Sequence, residues 1–219
     1  MNKTLTTILG LAVVCATASV QAEEIKGNAQ AGAGKNAMCI GCHGIVGYQT
    51  NFPEVYKVPM ISGQGAGYIS AALHAYKKGE RRHPSMRAIA GSLSDQDIAD
   101  LAAYYSAQVK PGDLPAKPTR QPDAQVAALL QKGVCVSCHG DNFAKPLSPA
   151  YPEIAGQHPD YLFAALKAYK MGETTYVGRG NAIMGGVAKQ FSNAELKALA
   201  GYISSLDTPL QIVPESRFR

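Results

Sequence analysis

Cys39-Ile40-Gly41-Cys42-His43 decides how the chain is read, because Cys135-Val136-Ser137-Cys138-His139 repeats its spacing in the second half of the 219 residues. A C-x-x-C-H pentad is the sequence form of covalent haem attachment. Its two thiols reach the two vinyl groups of one porphyrin while the adjoining imidazole turns under the iron as proximal ligand. Two pentads imply two haem c groups, bound through Cys39, Cys42, Cys135 and Cys138, with His43 and His139 on the irons. A zinc ribbon would bring both C-x-x-C pairs to one ion and has no use for a His directly after each. A redox dithiol expects a βαβ surround, and no strand pattern is present.

The first 22 residues have the three-part plan of an export signal: Lys3, an apolar run from Leu5 to Val14, and small residues ending at Ala22, after which cleavage is expected. Of the five cysteines, Cys15 lies in this segment and the other four belong to the pentads, so no thiol is left for a disulfide. A lipid-attachment role for Cys15 is disfavoured, because Val14 stands where a small residue is needed. Beyond Ala22 no apolar stretch approaches the roughly 20 residues that cross a bilayer. An exported, periplasmic product follows, at most peripheral to the membrane. The formal charge of +5 includes Lys3, and the propionates of two haems would largely cancel the rest. With no clustered basic helix, nucleic-acid binding has little support.

The repeat extends far beyond the pentads. Pro59-Met60-Ile61-Ser62-Gly63-Gln64 matches Pro152-Glu153-Ile154-Ala155-Gly156-Gln157, and Tyr68 through Gly79-Glu80 matches Tyr161 through Gly172-Glu173. Met86, Ser94 and Tyr104 match Met184, Ser192 and Tyr202. A period of about 95 residues is too long for a solenoid and reads as a duplicated domain. Each unit shows three helices. The first runs from Asn28, or from the N-cap Asp123, into the pentad. The middle helix has an apolar stripe at Ile69, Ala72, Leu73 and Tyr76, repeated at Leu162, Ala165, Leu166 and Tyr169, and stops at Gly79 or Gly172. The last opens on a capping box, Ser94-x-x-Asp97 or Ser192-x-x-Glu195. The fold class is all-α: residues 23–110 and 123–219 form the two domains, and 111–122 a linker stiffened by Pro111, Pro115, Pro118 and Pro122. So small a unit with Gly- and Pro-rich loops has little apolar core of its own, and an apo chain is expected to be largely unfolded.

A second iron ligand decides between relay and catalysis. Among the candidates only Met86 and Met184 recur, each expected in an irregular loop before the last helix. His74, His158, Met60 and Met171 have no matching counterpart, and Met38 is too close to its pentad. His83 is the rival in the first half. A thioether opposite the imidazole favours ferrous iron and raises the potential.

With twin C-x-x-C-H, P-x-[IM]-x-G-Q, and a Met before S-x-x-[DE] in one exported chain, the sequence resembles the dihaem cytochrome c4 family along nearly all its mature length. The resemblance implies two class I cytochrome c folds about a pseudo-twofold axis, haems facing one another near the domain interface, and electron delivery to a terminal oxidase. It also implies His43 with Met86 on one iron and His139 with Met184 on the other. Expected partners are redox proteins: a terminal oxidase, a quinol-oxidising complex or a dehydrogenase, and no small-molecule substrate. A dihaem subunit draining a dehydrogenase is the alternative, and a dihaem peroxidase a weaker one, because the paired methionines close both sites.

Smaller expectations concern the surroundings. The proximal imidazoles need a carbonyl acceptor, for which Pro53 or Pro59, and Pro146, Pro149 or Pro152, compete. Tyr76 and Tyr169 either reach propionates or pack on porphyrin, and Gln64 and Gln157 either start helices or reach propionates, the former being preferred. The basic run Lys77, Lys78, Arg81, Arg82 has no match in the second half. It is either a dock for an acidic partner or, preferably, a solvated helix end. The longer second loop, Thr174 to Ile183, is expected to change the exposure of its haem.

Overall fold

The computed structural model describes residues 25–109 and 114–215. The export signal, the start of the linker and the last four residues lie outside them.

In the first domain α1 (Ala29–Lys35) and α2 (Ala37–His43) are followed by a small hairpin of β1 (Gln49–Thr50) and β2 (Tyr56–Lys57). Then come α3 (Ala66–Lys78), β3 (Arg81–Arg82), α4 (Pro84–Gly91) and α5 (Asp95–Ala107). The second domain repeats this with α6 (Ala124–Lys132), α7 (Val136–His139), α8 (Pro159–Met171), β4 (Gly178–Arg179), α9 (Ala182–Ala188) and α10 (Asn193–Ser204). Helix dominates, as expected; the four strands among the described residues are two residues each.

Local chemistry sets most boundaries. The Asn28 side chain accepts from the backbone N–H groups of Gln30 and Ala31, and Asp123 accepts from Val126. Both capping boxes are closed in both directions. Gly79, at φ 84°, ends α3 in the left-handed conformation that a side chain would resist. The first helix departs from expectation, since in neither domain does it run unbroken into the pentad. It is interrupted at Asn36, which is fully buried and starts α2, and at Val134, whose φ is 49°. These breaks turn each pentad out of line with the helix before it.

In the first domain α1 crosses α5 at Gly32, where a Cβ would lie 2.2 Å from the carbonyl oxygen of Asp100. Asp100 then latches the crossing, accepting from the backbone of Asn28 at 2.8 Å and from Lys35 Nζ at 2.6 Å. The core under this crossing is Ile69, Leu93, Ile98, Leu101, Ala102 and Tyr105. The second domain has more: one cluster around Leu129, Phe191, Leu196 and Leu199, another around Phe143, Ala144, Ala155 and Leu206, and a third of Leu162, Ala200 and Ile203.

The described part of the linker lies along the second domain. Asn142 donates to the carbonyl of Pro115 at 2.8 Å and the Tyr202 hydroxyl to that of Arg120 at 3.0 Å. After α10 the chain returns to the first domain. Gln211 donates from its backbone to the Ser62 carbonyl at 3.0 Å, and the Glu215 carboxylate accepts from Asn36, Tyr104 and Gln108.

Candidate functional site

Each pentad histidine lies in a short helix and is held from behind. His43 Nδ1 donates to the carbonyl of Pro59 at 2.9 Å and His139 Nδ1 to that of Pro152 at 3.1 Å. A carbonyl can only accept, so Nδ1 carries the proton and Nε2 keeps its lone pair for a metal. Burial pushes both imidazoles below their ordinary range, so they stay neutral and available near pH 7. Of the competing prolines, the structure selects the matched pair that opens the repeated P-x-[IM]-x-G-Q segment. All four pentad thiols are free, and burial pushes those of Cys39 and Cys135 up, so they are neither disulfides nor ready thiolates. Among the described residues no three His, Cys, Asp or Glu side chains converge on a metal-sized site.

Met86 and Met184 are not in irregular loops. Each is the third residue of a short helix, α4 or α9. His83 Nδ1 accepts from Met86 N at 3.5 Å, and Asn181 Oδ1 accepts from Met184 N at 2.9 Å. His83 is therefore the counterpart of Asn181, a helix cap beneath the methionine. Pro84 directly after His83, and an Asn three residues before Met184, were legible signals of these helices.

One cavity of about 660 Å³ runs through both domains and is walled by the cysteines and histidine of each pentad together with Met86 and Met184. At its centre the domains meet about a pseudo-twofold axis. Strands β3 and β4 pair antiparallel with Arg81 opposite Arg179, and Gly180 donates to the Glu80 carbonyl at 2.6 Å. Arg81 donates to the hydroxyls of Tyr68 at 2.9 Å and Tyr169 at 3.3 Å, and Arg179 to that of Tyr161 at 3.1 Å. The guanidinium carbons lie 5.2 to 5.6 Å from the ring centres of Tyr68, Tyr76, Tyr161 and Tyr169. Neither arginine has a carboxylate within ion-pairing distance among the described residues. A guanidinium stays charged, and the buried Arg81 beside the half-buried Arg179 calls for anions from outside the polypeptide. The paired propionates of two haems suit that need, as the apolar walls suit the porphyrin faces.

These contacts correct the reading of the basic run. Arg81 is buried between the domains. Arg82 turns to Glu173 at 3.3 Å and to the Thr175 carbonyl, and Lys77 to the Leu93 carbonyl and Asp95. The expected helix-end role holds for Lys77 and Lys78, the basic residues in the last turn of α3. Arg81 does have a counterpart, Arg179, which the longer second loop displaced from the matched register. That loop does not simply open its domain: while Tyr176 is exposed, Gly178 and Arg179 form the strand that meets β3.

Gln64 and Gln157 were also only partly legible. Each does start a helix, accepting from the next residue's backbone N–H at 3.0 Å. Each also reaches across the interface. Gln64 accepts from Glu153 N and donates to Glu153 O, both at 2.9 Å. Gln157 accepts from Met60 N at 3.1 Å and donates to Met60 O at 2.9 Å. Both amides are buried, and no local pattern announces such a contact. Because only the backbone of residue 60 is used, its side chain is free to differ from that of Glu153.

The family pattern for Cytochrome c matches residues 29–106 and again 124–207. Cytochrome c4 of Pseudomonas aeruginosa is 33% identical over 187 residues, spanning 82% of this chain and 89% of that protein. The thiosulfate dehydrogenase electron acceptor of Stutzerimonas stutzeri is 30% identical over 199 residues, spanning 86% of this chain and 89% of that protein. The crystal structure of reduced cytochrome c4 from Pseudomonas stutzeri superposes with a TM-score of 0.59 at 30% identity, covering 83% of this chain and all of that one. Two cytochrome c domains in tandem, each with its own pentad and a shared cavity, place the chain in the dihaem cytochrome c4 family of electron-transfer proteins.

Proposed function

We propose that the chain is an exported electron relay in which His43 and Met86 bind one iron, His139 and Met184 the other, and Cys39, Cys42, Cys135 and Cys138 form the thioether links. The observation that carries this reading is the twofold recurrence of one arrangement. In each domain a proline carbonyl fixes the imidazole tautomer, and a capped helix places a methionine on the wall of the same cavity. When bound, each haem supplies a one-electron ferrous–ferric couple.

The polypeptide does the rest. The carbonyls of Pro59 and Pro152 hold the imidazoles and keep Nε2 aimed at a metal. The methionine helices keep a soft thioether on the cavity wall, which as a second ligand would favour the reduced metal and close it to a substrate. Arg81 and Arg179 offset the propionate charges at the interface. The domains are residues 23–110 and 123–219, joined by 111–122, with the mature chain starting near Glu23 in the periplasm. No substrate is turned over. Reductive titration should consume two electrons per chain, and carbon monoxide should fail to bind the reduced protein; rapid carbon monoxide binding or peroxide turnover would refute the closed-site reading.

The destination of the electrons is a terminal oxidase or another periplasmic acceptor. The relative whose name makes it the electron acceptor of thiosulfate dehydrogenase favours a second arrangement, with a dehydrogenase as donor. Copurification with a larger catalytic chain would select the latter, and behaviour as an independent carrier the former.

A further inference from the structure

The cross-domain glutamines touch the main chain at a particular peptide. The peptide joining Pro152 to Glu153 carries both the carbonyl that accepts from His139 Nδ1 at 3.1 Å and the N–H that donates to Gln64 Oε1 at 2.9 Å. The peptide joining Pro59 to Met60 does the same, its carbonyl accepting from His43 at 2.9 Å and its N–H donating to Gln157 at 3.1 Å. Each histidine is thus the end of a three-group chain, imidazole to peptide to amide, whose last member belongs to the other domain. Accepting at a peptide N–H polarises its carbonyl and makes it a stronger acceptor, an effect of about 10–30% per bond. A stronger acceptor behind Nδ1 makes the imidazole a more basic ligand, which favours the ferric state.

We infer that Gln64 and Gln157 are positioning residues that tune, in trans, the proximal histidine of the opposite domain, so that each metal centre senses whether the two domains are docked. The inference rests on the assignment of His43 and His139 as ligands. It accounts for why two side chains are buried at an interface only to clasp one peptide each. A merely adhesive role would be served by contact with any backbone.

The test uses full-length holoprotein with Gln64→Met and, separately, Gln157→Met, side chains of similar length that cannot accept at this position. Each haem is followed by its own midpoint potential and by the NMR signals of its methionine methyl and its proximal Nδ1–H. Gln64→Met should raise the potential of the centre held by His139 and leave that of His43 in place, and Gln157→Met should do the reverse. The expected size is about a threefold change in the ferrous-to-ferric ratio, roughly 28 mV at about 59 mV per decade. Gln64→Glu keeps an oxygen acceptor and should leave the potential of the His139 centre unchanged or lower it. Equal shifts at both centres, a shift in the substituted domain, no shift, or a raised potential with Gln64→Glu would each overturn the inference. If the unaltered protein lacks methionine-ligated spectra, the ligand assignment itself has failed, an outcome recognisable before any glutamine is changed.

Discussion

The two domains differ most just after their pentads. In the first, the chain leaves His43 through Val46, 74% exposed, into the β1–β2 hairpin, whose tip is apolar and open: Val55 is 65% exposed and Phe52 46%. In the second, the matching loop folds inward. Phe143 is 1% exposed, its carbonyl accepts from both Ile154 and Ala155, and the linker closes over it through Asn142 and Pro115. Duplication kept what the metal site and the interface require, namely the proline carbonyl, the capped methionine helix, and the Arg and Gln pairs. It left free the segment that needs only to connect them. The second domain consequently has a buried cluster of Phe143, Ala144, Ala155 and Leu206 with no match in the first, while its other clusters correspond to the first domain's core.

The largest consequence concerns dependence on the haem. With Cys39→Ser and Cys42→Ser together, the first domain should lose nearly all its protection in amide hydrogen exchange. With Cys135→Ser and Cys138→Ser, the second should retain protection around Phe143 and Leu206, and equal loss in both would break the comparison. At a single position, Phe143→Ala should cost about 3–5 kcal/mol in denaturant unfolding of the second domain. Phe52→Ala, at the corresponding open loop, should stay within about 0.5 kcal/mol.

The capping boxes offer a control in which the domains should agree. Ser94→Ala and Ser192→Ala should each cost about 1 kcal/mol, since both caps have the same two bonds. The smallest effect separates Glu153 from its counterpart Met60. Burial pushes the Glu153 carboxyl from about 4.5 up to about 7, and one of its oxygens is buried without a partner. Between those values the folded protein holds a proton that the unfolded chain has released, so stability falls as pH rises through this window and stays lower above it. Glu153→Gln should flatten that decline, measured as the pH dependence of the melting temperature, whereas Met60→Gln should leave its shape unchanged.

What the sequence made legible was what covalent spacing and short-range hydrogen bonds determine. The pentads and the capping boxes depend on residues three or four apart, and the matched methionines on the recurrence of one position in both halves, so they could be named before any fold was known. The choice of Pro59 and Pro152 needed the fold, because several prolines lay within reach along the chain and only the turn geometry picks one. Arg179 was missed because the extra residues after Gly172 shift it out of register with Arg81, and the pairing is made by a strand that exists only when both domains are present. The trans contacts of Gln64 and Gln157 were invisible for the same reason. Met86 and Met184 were expected in loops but lie in helices, since a helix this short depends on its cap more than on any periodic pattern.

The central claim is that both metal centres are closed by imidazole on one side and thioether on the other. It is tested most directly by the absorption and magnetic resonance spectra of the oxidised protein, unaltered and with Met86→Ala or Met184→Ala. The account predicts two low-spin centres per chain, each with a sulfur-to-iron band, and loss of one band with each substitution. A centre that is five-coordinate at rest, or a band that survives replacement of its own methionine, would contradict it.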